Sequence, residues 1–150
     1  MILHLIEMKQ MNARVFFDSN VLIYAYSTDD SSKQNHIQTI AETHYTVIST
    51  QTINEFINVM KKKKGLSYAQ IMGALTQIYQ NFAVEVVNQT TIEKAVAIAM
   101  RYSYSYFDSL MIAAALMSSC SVLYSEDMHH QHVIENMTII NPFTSLNNEK

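Results

Sequence analysis

The sequence predicts an α/β fold, a three-layer sandwich with a central, mostly parallel sheet flanked by helices. Short runs rich in β-branched and aromatic residues alternate with longer segments whose apolar residues recur at helical spacing. The 150 residues contain only two glycines and one proline, which favours long helices over a turn-rich β architecture. Strands separated by helices form right-handed crossovers, so we expect the strands to lie parallel.

The first half of the chain supplies two predicted strands and four predicted helical segments. The strands cover 13–17 and 46–49, and the helical segments cover 21–26, 37–44, 51–64 and 68–79, with a polar loop or helix start over 28–35. The spacing of the apolar residues from Ile53 to Met60 is helical. Lys61–Lys64 suit the negative end of that helix, and Gly65 is predicted to stop it.

The second half supplies the remaining strands and two further helices. The predicted strands cover 82–87, 122–124 and 137–140, the last as a short edge strand, and a helix is predicted over 106–118. Thr90 followed by Glu93 predicts a capping box that opens the preceding helix.

The length predicts one domain, with an N-terminal extension over 1–12, the folded domain over 13–143 and a C-terminal tail over 144–150. The extension contains Met8 and Met11, so it is either an alternative translation start or a loosely ordered arm. We expect no membrane segment, because no stretch approaches the roughly 20 apolar residues that one requires. The single cysteine, Cys120, excludes an internal disulfide and fits a cytoplasmic protein.

Three aspartates occupy positions that predict a shared site. Asp18 directly follows the first strand and Asp127 follows the strand over 122–124, where open α/β sheets bind ligands. Asp108 lies in the first turn of an otherwise apolar helix, and burying a lone carboxylate there would be very costly. Taken singly, each could merely cap or stabilise a helix N-terminus. Together they form a cluster of like charges that a cation would relieve.

Carboxylate oxygens without thiolates favour Mg²⁺ or Mn²⁺ over zinc. The scarcity of glycine rules out Gly-rich phosphate loops. The net charge of −3 is unusual for a nucleic-acid binder, but the site's carboxylates account for it and a bound metal would offset them. Periodicity alone places Glu55 opposite the apolar stripe of its helix and therefore predicts a solvated residue.

Four segments together resemble the signatures of PIN-domain ribonucleases, and most closely the VapC-like toxins of bacterial toxin–antitoxin pairs. They are FFDSNVLIYAY, TINEF, SYSYFDSLMIAAAL and LYSEDMHH, and the resemblance covers roughly residues 14–143. It implies metal-binding and catalytic roles for Asp18, Glu55, Asp108 and Asp127, and makes Glu55 a member of the site. It implies supporting polar roles for Asn20 and Ser125.

The resemblance implies a Mg²⁺- or Mn²⁺-dependent endoribonuclease that acts on RNA with one or two metal ions. It also implies a small antitoxin protein as partner, and a homodimer. The alternative is a catalytically inactive PIN-like scaffold that binds RNA or protein, against which the presence of all four acids argues.

Three other features have competing interpretations. Lys61–Lys64 could contact an RNA backbone or form a solvated helix end. His129, His130 and His132 could form a zinc site, but a loop near the acidic site is the preferred interpretation. Tyr102, Tyr104 and Tyr106 could stack bases, although packing is expected for at least two of them.

Overall fold

Residues 13–147 of the protein are described by a computed structural model, and they contain one six-stranded sheet. Its strands are β1 (Arg14–Phe17), β2 (Tyr45–Ser49), β3 (Ala83–Glu85), β4 (Val122–Tyr124), β5 (Val133–Ile134) and β6 (Met137–Ile140). Their order is β3-β2-β1-β4-β6-β5, and every pair is parallel except β5 with β6.

Helices cover both faces of this sheet, which confirms the predicted three-layer α/β sandwich. They are α1 (Ser19–Tyr26), α2 (Ser31–Thr43), α3 (Thr50–Lys62), α4 (Tyr68–Asn81), α5 (Gln89–Tyr102), α6 (Tyr106–Met117) and α7 (Thr144–Asn147). The side chains of β1 alternate between two cores because successive residues of a strand point to opposite faces. Val15 and Phe17 join the core with α1–α4, and Phe16 joins the core with α5 and α6.

Two local predictions were wrong. The capping box of α5 consists of Asn88 and Thr91 rather than Thr90 and Glu93. The Asn88 side chain accepts a hydrogen bond from the backbone N–H of Thr91, and the Thr91 hydroxyl accepts one from the backbone N–H of Asn88. The strand β6 is not an edge strand, because β5, which was not predicted, pairs with its outer side.

The strand register brings the carboxyl ends of β1, β4 and β6 together. Phe17 lies beside Tyr124, which lies beside Ile140. The backbone N–H of Asp18 donates to the carbonyl of Tyr124 at 3.0 Å, and that of Ser125 donates to the carbonyl of Ile140 at 3.0 Å. The residues that follow β1 and β4 are therefore fixed against each other at one edge of the sheet.

No helix within residues 13–147 is long and apolar enough to span a membrane. The predicted N-terminal extension over 1–12 lies outside the described residues, as do 148–150 of the predicted tail.

Candidate active site

The four acids predicted for the site line one cleft of about 280 Å³, here called the acidic cleft. Asp18 reaches it from the end of β1, Glu55 from α3, Asp108 from the first turn of α6 and Asp127 from the segment after β4. These elements are distant in sequence, and the sheet and its crossovers bring them together. Among the described residues that line the cleft, none is basic.

Asp18 is the most buried of the four acids, with 5% of its surface exposed. One carboxylate oxygen accepts from the backbone N–H of Ser19 at 2.7 Å, and the other accepts from the Ser125 hydroxyl at 2.8 Å. Asp18 is thus the N-cap of α1 and also lines the acidic cleft, so the two interpretations of this residue are compatible. Because each carboxylate oxygen has two lone pairs, both oxygens remain able to accept a further partner.

Burial raises the pKa of Asp18 from 3.8 to about 6. The hydrogen bonds from Ser125 and Ser19 act in the opposite direction, while the charges of Glu55 and Asp108 raise the pKa further. Burial also raises the pKa of Asp108, and the charge of Asp127 adds to that shift. Burial and the neighbouring carboxylates thus both disfavour a negative charge in this cleft, and a positive charge placed there would act in the opposite direction.

Asn20 and Ser125 connect the acids to one another. The Asn20 amide donates to Asp127 at 2.8 Å, which ties the start of α1 to the segment after β4. The Ser125 hydroxyl, fully buried, donates to Asp18 and accepts from the backbone N–H groups of Asp127 and Met128. The other polar atom of the Asn20 side chain, Oδ1, is buried and has no hydrogen-bond partner.

Glu55 lies at the cleft although helical periodicity placed it on the solvated side of α3. It is half-buried, and the Gln51 side chain donates to it at 3.5 Å. The apolar stripe of α3 faces the core, where Phe56 is fully buried. The helix α3 also packs against α6, and this second contact brings Glu55 beside Asp18 and Asp108.

The side chains of the acidic cleft suit a hard divalent cation, because all four carboxylates offer oxygen donors. Within residues 13–147, no three acidic, histidine or cysteine side chains converge closely enough to hold a metal ion in this conformation.

Sequence reasoning missed several residues that line the cleft: Asn58, Val59, Phe107 and Met111. Asn58 follows Glu55 by three residues, so helical spacing could have placed it on the same face. Phe107 adjoins Asp108, but no periodic signal distinguishes it within an apolar helix.

Glu126 lies next to Asp127 in the bend after β4 but does not line the cleft. Its carboxylate pairs with Lys33 at 3.0 Å and accepts from the Tyr24 hydroxyl at 3.3 Å. The ammonium of Lys33 also lies 4.6 Å from the centroid of the Tyr24 ring. These contacts anchor the segment that carries Ser125 and Asp127 to α1 and α2.

Two of the three histidines after Asp127, His129 and His132, form an aromatic cluster with Tyr102 and Tyr104. The Tyr104 hydroxyl and His132 Nδ1 are 2.7 Å apart, and the two rings are stacked with centroids 5.7 Å apart. Tyr102 and Tyr104 pack against the core that contains residues of α5 and α6, which confirms packing for two of the three tyrosines. His130 instead accepts from the backbone N–H of Asn141 at 2.9 Å, so it contributes to a turn.

Two of the four lysines over 61–64 contact other residues of the domain. Lys61 lies 4.6 Å from the centroid of the Tyr68 ring, and Lys64 pairs with Asp29. A contact with RNA stays a prediction for this segment.

Comparison with known proteins gives one family and a consistent set of folds. Residues 15–135 match the family model of the PIN domain. The chain resembles the crystal structure of VapC20 from Mycobacterium tuberculosis, a toxin that cleaves the sarcin–ricin loop (TM-score 0.63, 17% identity, 75% of this chain and 89% of that one). It also resembles a chain in a toxin–antitoxin complex from Klebsiella pneumoniae (TM-score 0.66, 21% identity, 85% and 97% covered).

A third similar structure is VapBC2 of Rickettsia felis bound to a DNA fragment from its promoter (TM-score 0.62, 16% identity, 84% and 96% covered). In sequence alone, no curated protein matches the chain. At these identities the structural likenesses establish the fold, and the match of residues 15–135 is the finding that bears on family.

Proposed function

The chain belongs to the PIN-domain family, and from that premise we propose that it is a Mg²⁺- or Mn²⁺-dependent endoribonuclease and the toxin of a toxin–antitoxin pair. The observation that carries the proposal is that Asp18, Glu55, Asp108 and Asp127 line one cleft although they come from four separate elements. PIN-domain proteins of the VapC kind are nucleases, and an all-oxygen acidic cleft is the feature that such chemistry needs.

The four carboxylates would hold the cation, with Asp18 as the innermost ligand. Its two oxygens are fixed by Ser19 and Ser125 and keep lone pairs for a metal. Asn20 would hold Asp127 in the orientation that its 2.8 Å hydrogen bond defines. When bound, Mg²⁺ or Mn²⁺ supplies activation of the attacking water and stabilisation of the charge that develops on the phosphate.

The ionisation of the cleft carboxylates is linked to the binding of a cation. Burial raises the pKa of Asp18 and of Asp108, and the charges of neighbouring carboxylates raise it further, so ionisation is unfavourable here without a balancing positive charge. The four carboxylates would therefore ionise more readily with a cation held among them, and that cation would offset the negative charge that otherwise repels the phosphate of RNA. Hydrolysis would leave 5′-phosphate and 3′-hydroxyl ends.

We expect the purified chain to cleave single-stranded RNA in Mg²⁺ or Mn²⁺ and to lose that activity in EDTA. Mn²⁺ should also raise the melting temperature, because a ligand that binds only the folded state stabilises it; at 100 times its Kd the gain is about 2.7 kcal/mol. Nuclease assays and thermal unfolding with and without Mn²⁺ measure both effects. A protein that neither cleaves RNA nor gains stability from Mn²⁺ would instead be the catalytically inactive scaffold.

The toxin role follows from the same activity. Three of the similar structures contain or are toxins of toxin–antitoxin pairs, which supports a small antitoxin protein as the partner of this chain. A basic side chain of that partner, placed in the acidic cleft, would compete with the metal by direct charge pairing. The homodimer that the sequence resemblance implies stays a prediction.

Expression of this chain alone in a bacterial host should arrest growth, because uncontrolled cleavage of cellular RNA stops protein synthesis. Growth curves with inducible expression, and immunoblots to verify protein levels, measure the effect. Asp18→Asn at the same level is the matched control and should permit growth. Normal growth with verified, active enzyme would reject the toxin role and leave the nuclease assignment intact.

A further inference from the structure

Phe107 is an exposed aromatic residue in the first turn of α6, a helix whose middle is buried. Of its surface, 56% is exposed, whereas every residue from Ser109 to Ala115 is buried. It lies in the first turn of α6 directly before Asp108, and both residues line the acidic cleft. The Tyr106 ring lies beside it at a centroid distance of 5.5 Å and an angle of 58°. Packing within the domain therefore does not account for the position of Phe107.

We propose that Phe107 is a substrate-binding residue that stacks on an unpaired RNA base next to the scissile phosphate. The proposal rests on the proposed nuclease function and identifies the form of RNA that the site accepts. Because Phe107 and Asp108 are consecutive and share one cleft, a nucleotide that places its phosphate among the carboxylates places a base within reach of the Phe107 ring. Contact with Tyr106 limits the orientations available to that ring.

The charge of the cleft favours stacking as the source of affinity. Nucleic-acid sites commonly gain affinity from Lys and Arg contacts with phosphates. Among the described residues that line this cleft there is no Lys or Arg, so apart from the metal it offers no attraction for the RNA backbone. An exposed aromatic ring supplies affinity without positive charge, since stacking contributes about 1–3 kcal/mol per base.

Stacking on Phe107 also requires that the base be unpaired. In an A-form duplex the bases stack on one another, and recognition by aromatic side chains is directed to single strands, loops and bulges. Stacking tolerates any base, because every base presents a π face. Phe107 should therefore select single-stranded over paired RNA and contribute little to sequence preference.

The test compares Phe107→Ala and Phe107→Leu with the wild type in Mn²⁺. The substrates are an unstructured oligoribonucleotide and the same strand annealed to its complement. The matched control is Tyr79→Ala, which removes an aromatic side chain of similar exposure (57%) on α4, outside the acidic cleft. We expect Phe107→Ala to raise KM for the single strand about tenfold, with little change in kcat, which corresponds to about 1.4 kcal/mol of lost stacking. Phe107→Leu should behave like Phe107→Ala, and Tyr79→Ala like the wild type.

A binding measurement separates this proposal from the nuclease assignment. Fluorescence of 2-aminopurine in the oligoribonucleotide is followed with Asp18→Asn and with the double variant Asp18→Asn/Phe107→Ala. Stacking predicts quenching with the first protein and its loss with the second. Equal quenching by both proteins would overturn the proposal even if the wild type is an active nuclease. Quenching by Asp18→Asn that is lost with the double variant would support the proposal even if the wild type is inactive.

Two further outcomes would also overturn the proposal. Full activity of Phe107→Leu would show that an apolar side chain suffices and that no base stacks on the ring. Unchanged KM with Phe107→Ala would show that RNA does not contact this residue, and would favour burial of Phe107 by a protein partner.

Discussion

Asp18→Asn should reduce metal-dependent RNA cleavage about 100-fold or more while the protein stays folded. Residues that merely support a metal ligand typically contribute 10- to 100-fold to metal affinity or activity, so a direct charged ligand should contribute at least as much. Asparagine keeps the shape of the side chain and can still accept a hydrogen bond from Ser125 or Ser19. Initial rates in saturating Mn²⁺ measure the loss of activity, and far-UV circular dichroism verifies that the variant is folded.

Asp30→Asn is the matched control for this variant. Asp30 is also an N-cap, and its side chain accepts from the backbone N–H of Lys33 at 3.1 Å, but it does not line the acidic cleft. Asparagine caps a helix as well as aspartate does, so this variant removes one negative charge without removing a proposed ligand. Equal loss of activity in both variants would point to net charge rather than to a metal ligand. Wild-type rates for Asp18→Asn in carefully purified protein would reject the site assignment.

Three of the four acids could be placed from the sequence, two by reasoning about strand ends and one by the cost of burying a charge in a helix. Asp18 and Asp127 follow strands that proved to be parallel neighbours, and the carboxyl ends of such strands meet at one edge of the sheet. Asp108 stood out because an ionisable residue in an apolar helix needs a partner. Each inference used only the local element and one general rule of α/β folds, which is why it needed no knowledge of the rest of the chain.

Glu55 could not be placed in that way. Helical periodicity identifies the face of α3 that packs on the core. The contact between α3 and α6 involves another part of α3, and it depends on how the two helices cross. Only the resemblance of TINEF to a family signature made Glu55 a site residue in the sequence analysis. The contact between Lys33 and Glu126 is a similar case, because residues so far apart in the chain have no spacing that would pair them.

The start of α5 shows the limit of local rules in another way. Thr90 with Glu93 and Asn88 with Thr91 both fit the pattern of a capping residue followed three positions later by a side chain that bonds back. The fold uses the second pair, and the Thr91 side chain is fully buried. The burial of the Thr91 side chain distinguishes the two pairs, and burial is a property of the tertiary structure.

The stability of the metal-free protein should fall as the pH rises from about 4 to above 6, because of Asp18. Burial raises the pKa of this carboxyl to about 6 in the folded protein, against an ordinary value of 3.8. The neutral form is thus favoured by folding: its contribution to stability is complete below pH 3.8 and is lost as the pH rises through about 6. A shift of this size corresponds to about 3 kcal/mol in the free energy of unfolding.

The comparison of wild type with Asp18→Asn isolates this effect from the other ionisable groups. Asparagine does not ionise, so the difference in unfolding free energy between the two proteins should change with pH mainly through Asp18. In EDTA, we expect Asp18→Asn to gain stability relative to the wild type between pH 4.5 and 7.5, by up to about 3 kcal/mol. Urea unfolding at several pH values, followed by circular dichroism, measures the difference.

Mn²⁺ should reverse the relation between the two proteins above pH 6. A cation that binds the ionised carboxylates stabilises the wild type, whereas Asp18→Asn lacks the innermost proposed ligand and should gain much less. The stabilisation of the wild type by Mn²⁺ should also weaken below pH 6, because protons then compete with the metal for Asp18. Two results together would contradict a buried carboxyl at position 18 whose charge is balanced by a metal. The first is a difference in unfolding free energy between the two proteins that stays constant from pH 4.5 to 7.5 in EDTA. The second is equal stabilisation of both proteins by Mn²⁺.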